Sequence, residues 1–203
     1  MLSNSRGPET IRRIGQQIGC EVGTVDDVAA FGKMIAAAIH LQMPPAIPAA
    51  PLAGKIVLNP QNYFPHFGPV PALESGELTT AEVLAKRLPG SKVAKALNSI
   101  LVEDVVPDAR PTGAKDRRAL PMAGDDADAK ASVATFLDQI GYDSVDAGGL
   151  AETGSCLRND WPRPPATASC QTATGDSIAA SEPDQSAPFG GIGGSYGVGL
   201  PRM

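Results

Sequence analysis

Four short apolar runs that do not alternate with polar residues constrain this chain more than any other feature. Met34 to Ile39, Lys55 to Leu58, Val93 to Leu97 and Arg118 to Met122 are each four to six residues long and largely apolar. A strand with one wet face alternates, so such runs suit strands buried on both faces, the habit of parallel sheets covered by helices. The intervening segments supply the helices. Pro8 stands at a first helical position, Ile11, Ile14 and Ile18 follow at helical spacing, and Gly19 is the stop. Thr24 and Asp27 cap a short helix ending at Phe31-Gly32; Thr79 and Glu82 form a capping box ahead of Val83, Leu84 and Leu88, with Pro89-Gly90 beyond. Asp125 or Asp126 caps a helix carrying Val133, Phe136, Leu137 and Ile140, closed by Gly141, and Tyr142 to Val145 reads as a last short strand. The expected fold is α/β, a doubly wound parallel sheet.

That regularity stops near residue 150. Residues 152–203 hold eight glycines, six prolines and six serines, and their large apolar residues follow neither a two-residue nor a 3.6-residue period. Such a stretch buries too little surface to offset its ordering entropy, so a low-complexity, disordered tail is expected there. Its run Gly190-Gly191-Ile192-Gly193-Gly194-Ser195-Tyr196-Gly197 lacks the spacing of a phosphate-binding turn and has no strand before it or helix after it. The formal net charge of −5, with no concentrated basic segment, argues against nucleic acid as a partner. The longest unbroken apolar run has six residues, far short of a membrane span, and Met1 to Arg6 has no apolar signal-peptide core. Cys20, Cys156 and Cys170 are three widely spaced cysteines with no C-x-x-C, so neither a disulfide framework nor a metal site is expected. Together these features imply a cytoplasmic protein.

The first residues carry a further signal. Leu2-Ser3-Asn4-Ser5-Arg6-Gly7-Pro8 reads as the exit of a strand entering a helix. In a dinucleotide-binding half, the second strand ends beside the adenosine ribose, where an acidic residue would bind the free 2′-hydroxyl of NAD. Here a hydroxyl and a guanidinium, Ser5 and Arg6, stand instead and suit a 2′-phosphate through charge-assisted hydrogen bonds. The competing reading makes Arg6 an ordinary solvated surface arginine.

Four stretches in order carry a family likeness: Asn4-Ser5-Arg6-Gly7-Pro8-Glu9, Val57-Leu58-Asn59-Pro60-Gln61-Asn62-Tyr63, Lys95-Ala96-Leu97-Asn98-Ser99-Ile100, and Leu120-Pro121-Met122-Ala123-Gly124-Asp125-Asp126. Over roughly residues 2–151 the chain resembles the NADPH-dependent F-420 reductase family, whose Rossmann domain is shared with the N-terminal part of pyrroline-5-carboxylate reductases. The family opens with a strand, a G-x-G-x-x-G turn and a helix ahead of the Ser-Arg pair, and only Met1 to Asn4 precede that pair here. The resemblance thus implies an incomplete NADP-binding Rossmann domain over residues 1–151, its first strand and helix missing. In the order 3-2-1-4-5-6 the missing strand is central. Its loss would remove about 10 kcal/mol of burial, and would force the second and fourth strands to pair directly or leave an edge open.

The implied activity is hydride transfer between NADPH and a deazaflavin or similar small-molecule acceptor, which depends on placing two rings together more than on an acid or base. No catalytic residue is singled out. The resemblance assigns Asn4, Ser5, Arg6, Ile39, His40 and Asn62 to the cofactor NADP and Asn98 to the substrate. His40 follows an apolar strand where the family commonly has proline, and Leu97 replaces a frequent aromatic. The plain alternatives are a solvated strand-end histidine for His40 and ordinary turn asparagines for Asn62 and Asn98; His66, in the loop Pro65-His66-Phe67-Gly68-Pro69, is a further candidate for touching the substrate, because loops carry function. Asp125 and Asp126 suit a helix cap better than an acid/base pair, and Cys20 suits a buried small side chain better than a nucleophile. Two other functions stay open, a non-catalytic binding remnant and a reductase of a small imine or carbonyl compound. A homodimer is compatible with the resemblance.

Overall fold

A computed structural model describes residues 1–42 and 47–153. The chain runs through α1 (Arg12–Ile18), α2 (Val25–Phe31), β1 (Met34–Ala36), β2 (Ile56–Asn59), α3 (Pro71–Glu74), α4 (Thr80–Arg87), β3 (Lys92–Lys95), β4 (Ala119–Gly124), α5 (Ala127–Gln139) and β5 (Asp143–Asp146). The strands form one sheet in the order β1-β2-β3-β4-β5. β1, β2 and β3 are parallel, with Ile35 opposite Val57 and Val57 opposite Val93.

Alternate residues of these strands serve different cores, which is what places helices on both faces. Val57 and Val93 pack with Ala81, Leu84 and Leu88 of α4 and the segment after it. Their neighbours Leu58 and Ala94 pack with Leu120, Val133, Leu137 and Tyr142 on the α5 side. Each fully buried Val or Leu contributes about 1.5–3 kcal/mol. In β2 and β3 the non-alternating runs arise because both faces are dry, and the doubly wound α/β reading holds; β1 departs from the expectation of burial on both faces, with Met34 and Ile35 half-buried and Ala36 exposed.

One pairing departs from the all-parallel expectation. β3 and β4 are antiparallel, with Ala94 opposite Gly124 and Lys95 opposite Ala123. No helix stands between these two strands. A parallel return needs a crossover, so a chain that turns back through an irregular loop arrives antiparallel. β4, α5 and β5 do form a crossover unit, and β4 pairs with β5 in parallel.

The caps behave as expected. Thr24 and Thr79 each accept from the backbone N–H three residues on, and Asp27 and Glu82 each accept from the cap residue's own N–H. Asp126 is the cap of α5, accepting from Ala129 N at 2.8 Å. Asp125 instead accepts from Leu150 N at 2.9 Å and ties the end of the described chain to β4. Thr79 Oγ1 also donates to Leu150 O at 2.9 Å. Thr79→Ala is therefore expected to cost about 1–2 kcal/mol, above the usual loss for a cap alone; urea unfolding of the two chains checks it.

The helix after Pro8 splits into a short turn, Pro8–Thr10, and α1, ended by Gly19 at φ 71°. Of its apolar face only Ile11 is buried; Ile14 and Ile18 are exposed by 47% and 64%. Cys20 is half-buried rather than buried. The tail expected over residues 152–203 lies, from residue 154 on, outside the described residues.

Leu2 forms a parallel bridge with Val22, donating to Glu21 O and accepting from Gly23 N. Among the described residues no strand lies between this bridge and β1; the interval is a cavity of about 380 Å³ bordered by Leu2, Ser3, Val28, Met34, Ile35 and Ala36. Lys33 O and Ala37 N bond to β2, so the alternate residues Met34 and Ala36 turn their amides and carbonyls to the other side. Of the two outcomes expected for this sheet, direct pairing of the Leu2 segment with β1 does not occur, and among the described residues nothing pairs with that edge of β1.

Candidate functional site

Parallel sheets offer ligands a crevice beyond the carboxyl ends of their strands. Here that crevice is a cavity of about 590 Å³, within the range of cofactor sites. Four chain segments wall it. Asn4, Ser5 and Arg6 follow the Leu2 bridge, Ala38 to His40 follow β1, Pro60 to Asn62 with Phe64 follow β2, and Leu97, Asn98 and Ile100 follow β3. All seven residues singled out in the sequence, Asn4, Ser5, Arg6, Ile39, His40, Asn62 and Asn98, therefore line one space.

They are not equivalent in it. Asn4 organises its own loop: its Oδ1 accepts from Arg6 N at 3.0 Å, and its Nδ2 donates to Thr10 Oγ1 at 2.7 Å. That hydroxyl donates in turn to Gly7 O at 2.8 Å, and the tight turn is completed by Gly7 at φ 106°, a conformation natural to glycine. Ser5 and Arg6 are exposed on this braced loop. The Arg6 guanidinium makes no ion pair or hydrogen bond with any described residue.

Opposite them, two strand exits are tied together. Asn62 Nδ2 donates to Asn98 O at 3.1 Å, and Asn98 Nδ2 lies 3.4 Å from Asn62 Oδ1. Leu97 turns the chain into this contact with φ 64°, the left-handed region that a non-glycine residue enters at a cost. Ile39 contributes through its carbonyl, which accepts from Gln61 Nε2 at 2.7 Å. The His40 ring meets Phe67 at 4.1 Å with the rings tilted by 39°, and the Phe67 ring also meets His66 at 4.2 Å; Phe64 lies edge-on to both His40 and Phe67. His66 belongs to this aromatic rim and does not wall the cavity. Tyr63 turns away, its hydroxyl donating to Glu74 Oε1 at 2.7 Å, which raises its pKa.

Two residues, Gln61 in the wall and Lys95 behind it, were given no role in the sequence reading. Gln61 holds Ile39, and Lys95 is only 1% exposed at the end of β3. Lys95 Nζ donates to Gln61 O at 2.7 Å and to Thr80 Oγ1 at 2.8 Å. Burial alone lowers its pKa from 10.5 to about 8. The available signal was a lysine inside an apolar run, where a both-face-buried strand leaves it no route to solvent.

Among the described residues no group of three His, Cys, Asp or Glu side chains could hold a metal, and no helix is long and apolar enough to cross a membrane. The described fold is thus that of a nucleotide-type α/β sheet with its crevice at the expected rim. No family model matches the sequence, and no curated protein matches it. Among solved structures, a hypothetical protein of Sinorhizobium meliloti is similar at 26% identity and a TM-score of 0.62, over 80% of this chain and 78% of that one. A proposed F-420-dependent NADP reductase from Arthrobacter sp. FB24 is similar at 27% identity and a TM-score of 0.56, over 70% of this chain and 66% of that one. The chain's likeness to the NADPH-dependent F-420 reductase family, carried by the ordered motifs, extends to the fold.

Proposed function

We propose that the cavity binds an NADP-type dinucleotide and that the protein is an oxidoreductase passing a hydride between NADPH and a planar acceptor such as a deazaflavin. The observation that carries this reading is the convergence of seven residues, from three strand exits and the first loop, on one cavity, with a guanidinium at one end that has no partner among the described residues. The residues fit the cofactor's chemistry. Ser5 and Arg6 offer a hydroxyl and a cation for a 2′-phosphate, and no carboxylate stands among the cavity's lining residues to favour a free 2′-hydroxyl. The apolar and amide wall of Leu97, Asn98, Ile100 and Asn62 suits a neutral ring carrying a carboxamide. Bound NADPH would supply the hydride. The protein's part is to hold the ring against Asn62 and Asn98, whose mutual hydrogen bonds fix their amides, and to exclude water with Ile100, Phe64 and Leu97.

The activity named for the Arthrobacter protein supports the same class of reaction. Arg6→Ala is expected to weaken NADPH about 10- to 100-fold, the scale of one lost charge-assisted contact, while leaving NADH nearly unchanged. Titration of both cofactors against both chains tests it. Equal affinities for NADPH and NADH in the parent chain would overturn the Ser5/Arg6 assignment. Absence of binding by either at millimolar concentration would leave a non-catalytic scaffold.

A further inference from the structure

Lys95 is a buried cation without a counter-ion. Its partners are a carbonyl and a hydroxyl, both neutral, and no carboxylate of a described residue lies within ion-pair distance of it. Its immediate neighbours on β2, β4 and α4 are uncharged. From β2 comes Asn59, fully buried; from β4, Ala123 lies opposite in register; from α4, Thr80 accepts its hydrogen bond. The nearest acidic side chain in sequence on α4 is Glu82, whose carboxylate is held on Thr79 N at 2.8 Å. The charged or titratable groups on the cavity itself are Arg6 and His40.

An uncompensated charge in a low-dielectric setting acts well beyond its hydrogen-bond partners. Gln61 links this amine to the cavity: its carbonyl accepts from Lys95 Nζ, and the residue lines the wall. We propose that Lys95 is a specificity-determining residue of the cavity, its buried ammonium favouring the uncharged dihydronicotinamide ring over the positively charged oxidised ring. The inference rests on the dinucleotide reading above and adds to it a preference between redox states.

The amine acts by charge and not by rearrangement. A neutral amine retains two N–H groups, enough for Gln61 O and Thr80 Oγ1, so losing the third proton leaves the wall in place. Because the Lys95 pKa is lowered to about 8, the preference should fade as pH rises through that value. The 2′-phosphate and the Arg6 contact are common to both redox forms and cancel in the ratio of their affinities.

The test is the ratio of NADP+ to NADPH dissociation constants, measured by calorimetric titration of the full chain at pH 7.0 and pH 9.5. In the parent chain the ratio should fall about three- to tenfold between these pH values, the scale of one unit charge at an effective dielectric near 20. Lys95→Met should give a low ratio with no such slope, and Lys95→Arg should hold the high ratio at both pH values. His40 is present in all three chains, so a slope surviving in Lys95→Met would overturn the proposal, as would a flat ratio in the parent. If a variant does not fold, the parent pH series still separates a sloping ratio from a flat one. Failure of both cofactors to bind would instead overturn the dinucleotide reading, and the redox preference with it.

Discussion

Raising the pH from 8 to 10 is expected to stabilise the folded chain by about 2–3 kcal/mol through Lys95, and Lys95→Met is expected to remove that rise. The Lys95 pKa is about 8 in the folded chain and 10.5 for the free side chain. Below pH 8 both states carry the proton and the burial penalty is at its full size. Between the two values the unfolded chain holds a proton that the folded chain has released, so stability climbs with pH, at about 1.4 kcal/mol per unit. Other groups oppose it at the upper end. Tyr63 and Tyr142 have raised pKa values, as does Lys92 beside Asp126; the contribution of each is full below its unfolded pKa and is lost as pH rises from there through the raised one. The quantity to measure is therefore the difference between parent and Lys95→Met in urea midpoints at pH 7, 8, 9 and 10. A difference that stays constant across the series would show that the amine is not buried as a cation at neutral pH.

Lys95 also marks where the sequence stops being readable. Helix boundaries were legible because their signals are local: Thr79 and Glu82 meet across three residues, and Gly19 takes its left-handed turn from its own backbone freedom. Strand interiors were legible because burial on both faces leaves a run without alternation. The hand of the β3–β4 pairing was not, since it depends on whether residues 96–118 cross the sheet as a helix or return beside it, and no local pattern decides that. Likewise, helical spacing at Ile11, Ile14 and Ile18 gave a helix but not a neighbour, and two of the three face solvent.

The site divides the same way. Ser5 and Arg6 were accessible because strand exits are where a doubly wound sheet places its ligands, and His40, Asn62 and Asn98 through the family resemblance. How those residues are used was not. Asn4 turned inward to brace its loop, and Asn62 and Asn98, 36 residues apart, became partners through a left-handed Leu97 that no propensity favours. A buried lysine is a worse bet still, because composition treats every lysine as surface.

The long return from β3 to β4 carries the outer cavity wall, at Ile100, Val102 and Val105, and needs an anchor that its sequence does not advertise. Arg117 provides one. Its side chain is 2% exposed and meets Asp138 at 2.7 Å and Asp143 at 3.2 Å, while its Nη2 donates to Asp138 O and Tyr142 O. Tyr142 adds a second tie, its hydroxyl donating to Val105 O at 2.8 Å. The two halves of this anchor should respond unequally. Arg117→Met removes the buried charge and lets two half-exposed carboxylates return to water, leaving only carbonyls short of a donor, for a loss of about 2–3 kcal/mol. Asp138→Asn with Asp143→Asn leaves the guanidinium buried without a counter-charge, for the larger loss of the two. Arg117 and Thr112 hold the Asp138 carboxyl below its usual range, so its contribution is complete above the ordinary carboxylate pKa and disappears as pH falls through the lowered one. Denaturation of the three chains at pH 7 should therefore rank parent, Arg117→Met, then the double variant, with parent and double variant converging in acid. Because the anchor fixes the loop that closes the cavity, the double variant should also lose affinity for NADPH at temperatures where it is still folded. If the double variant matched or exceeded Arg117→Met in stability, the buried guanidinium would not depend on these carboxylates.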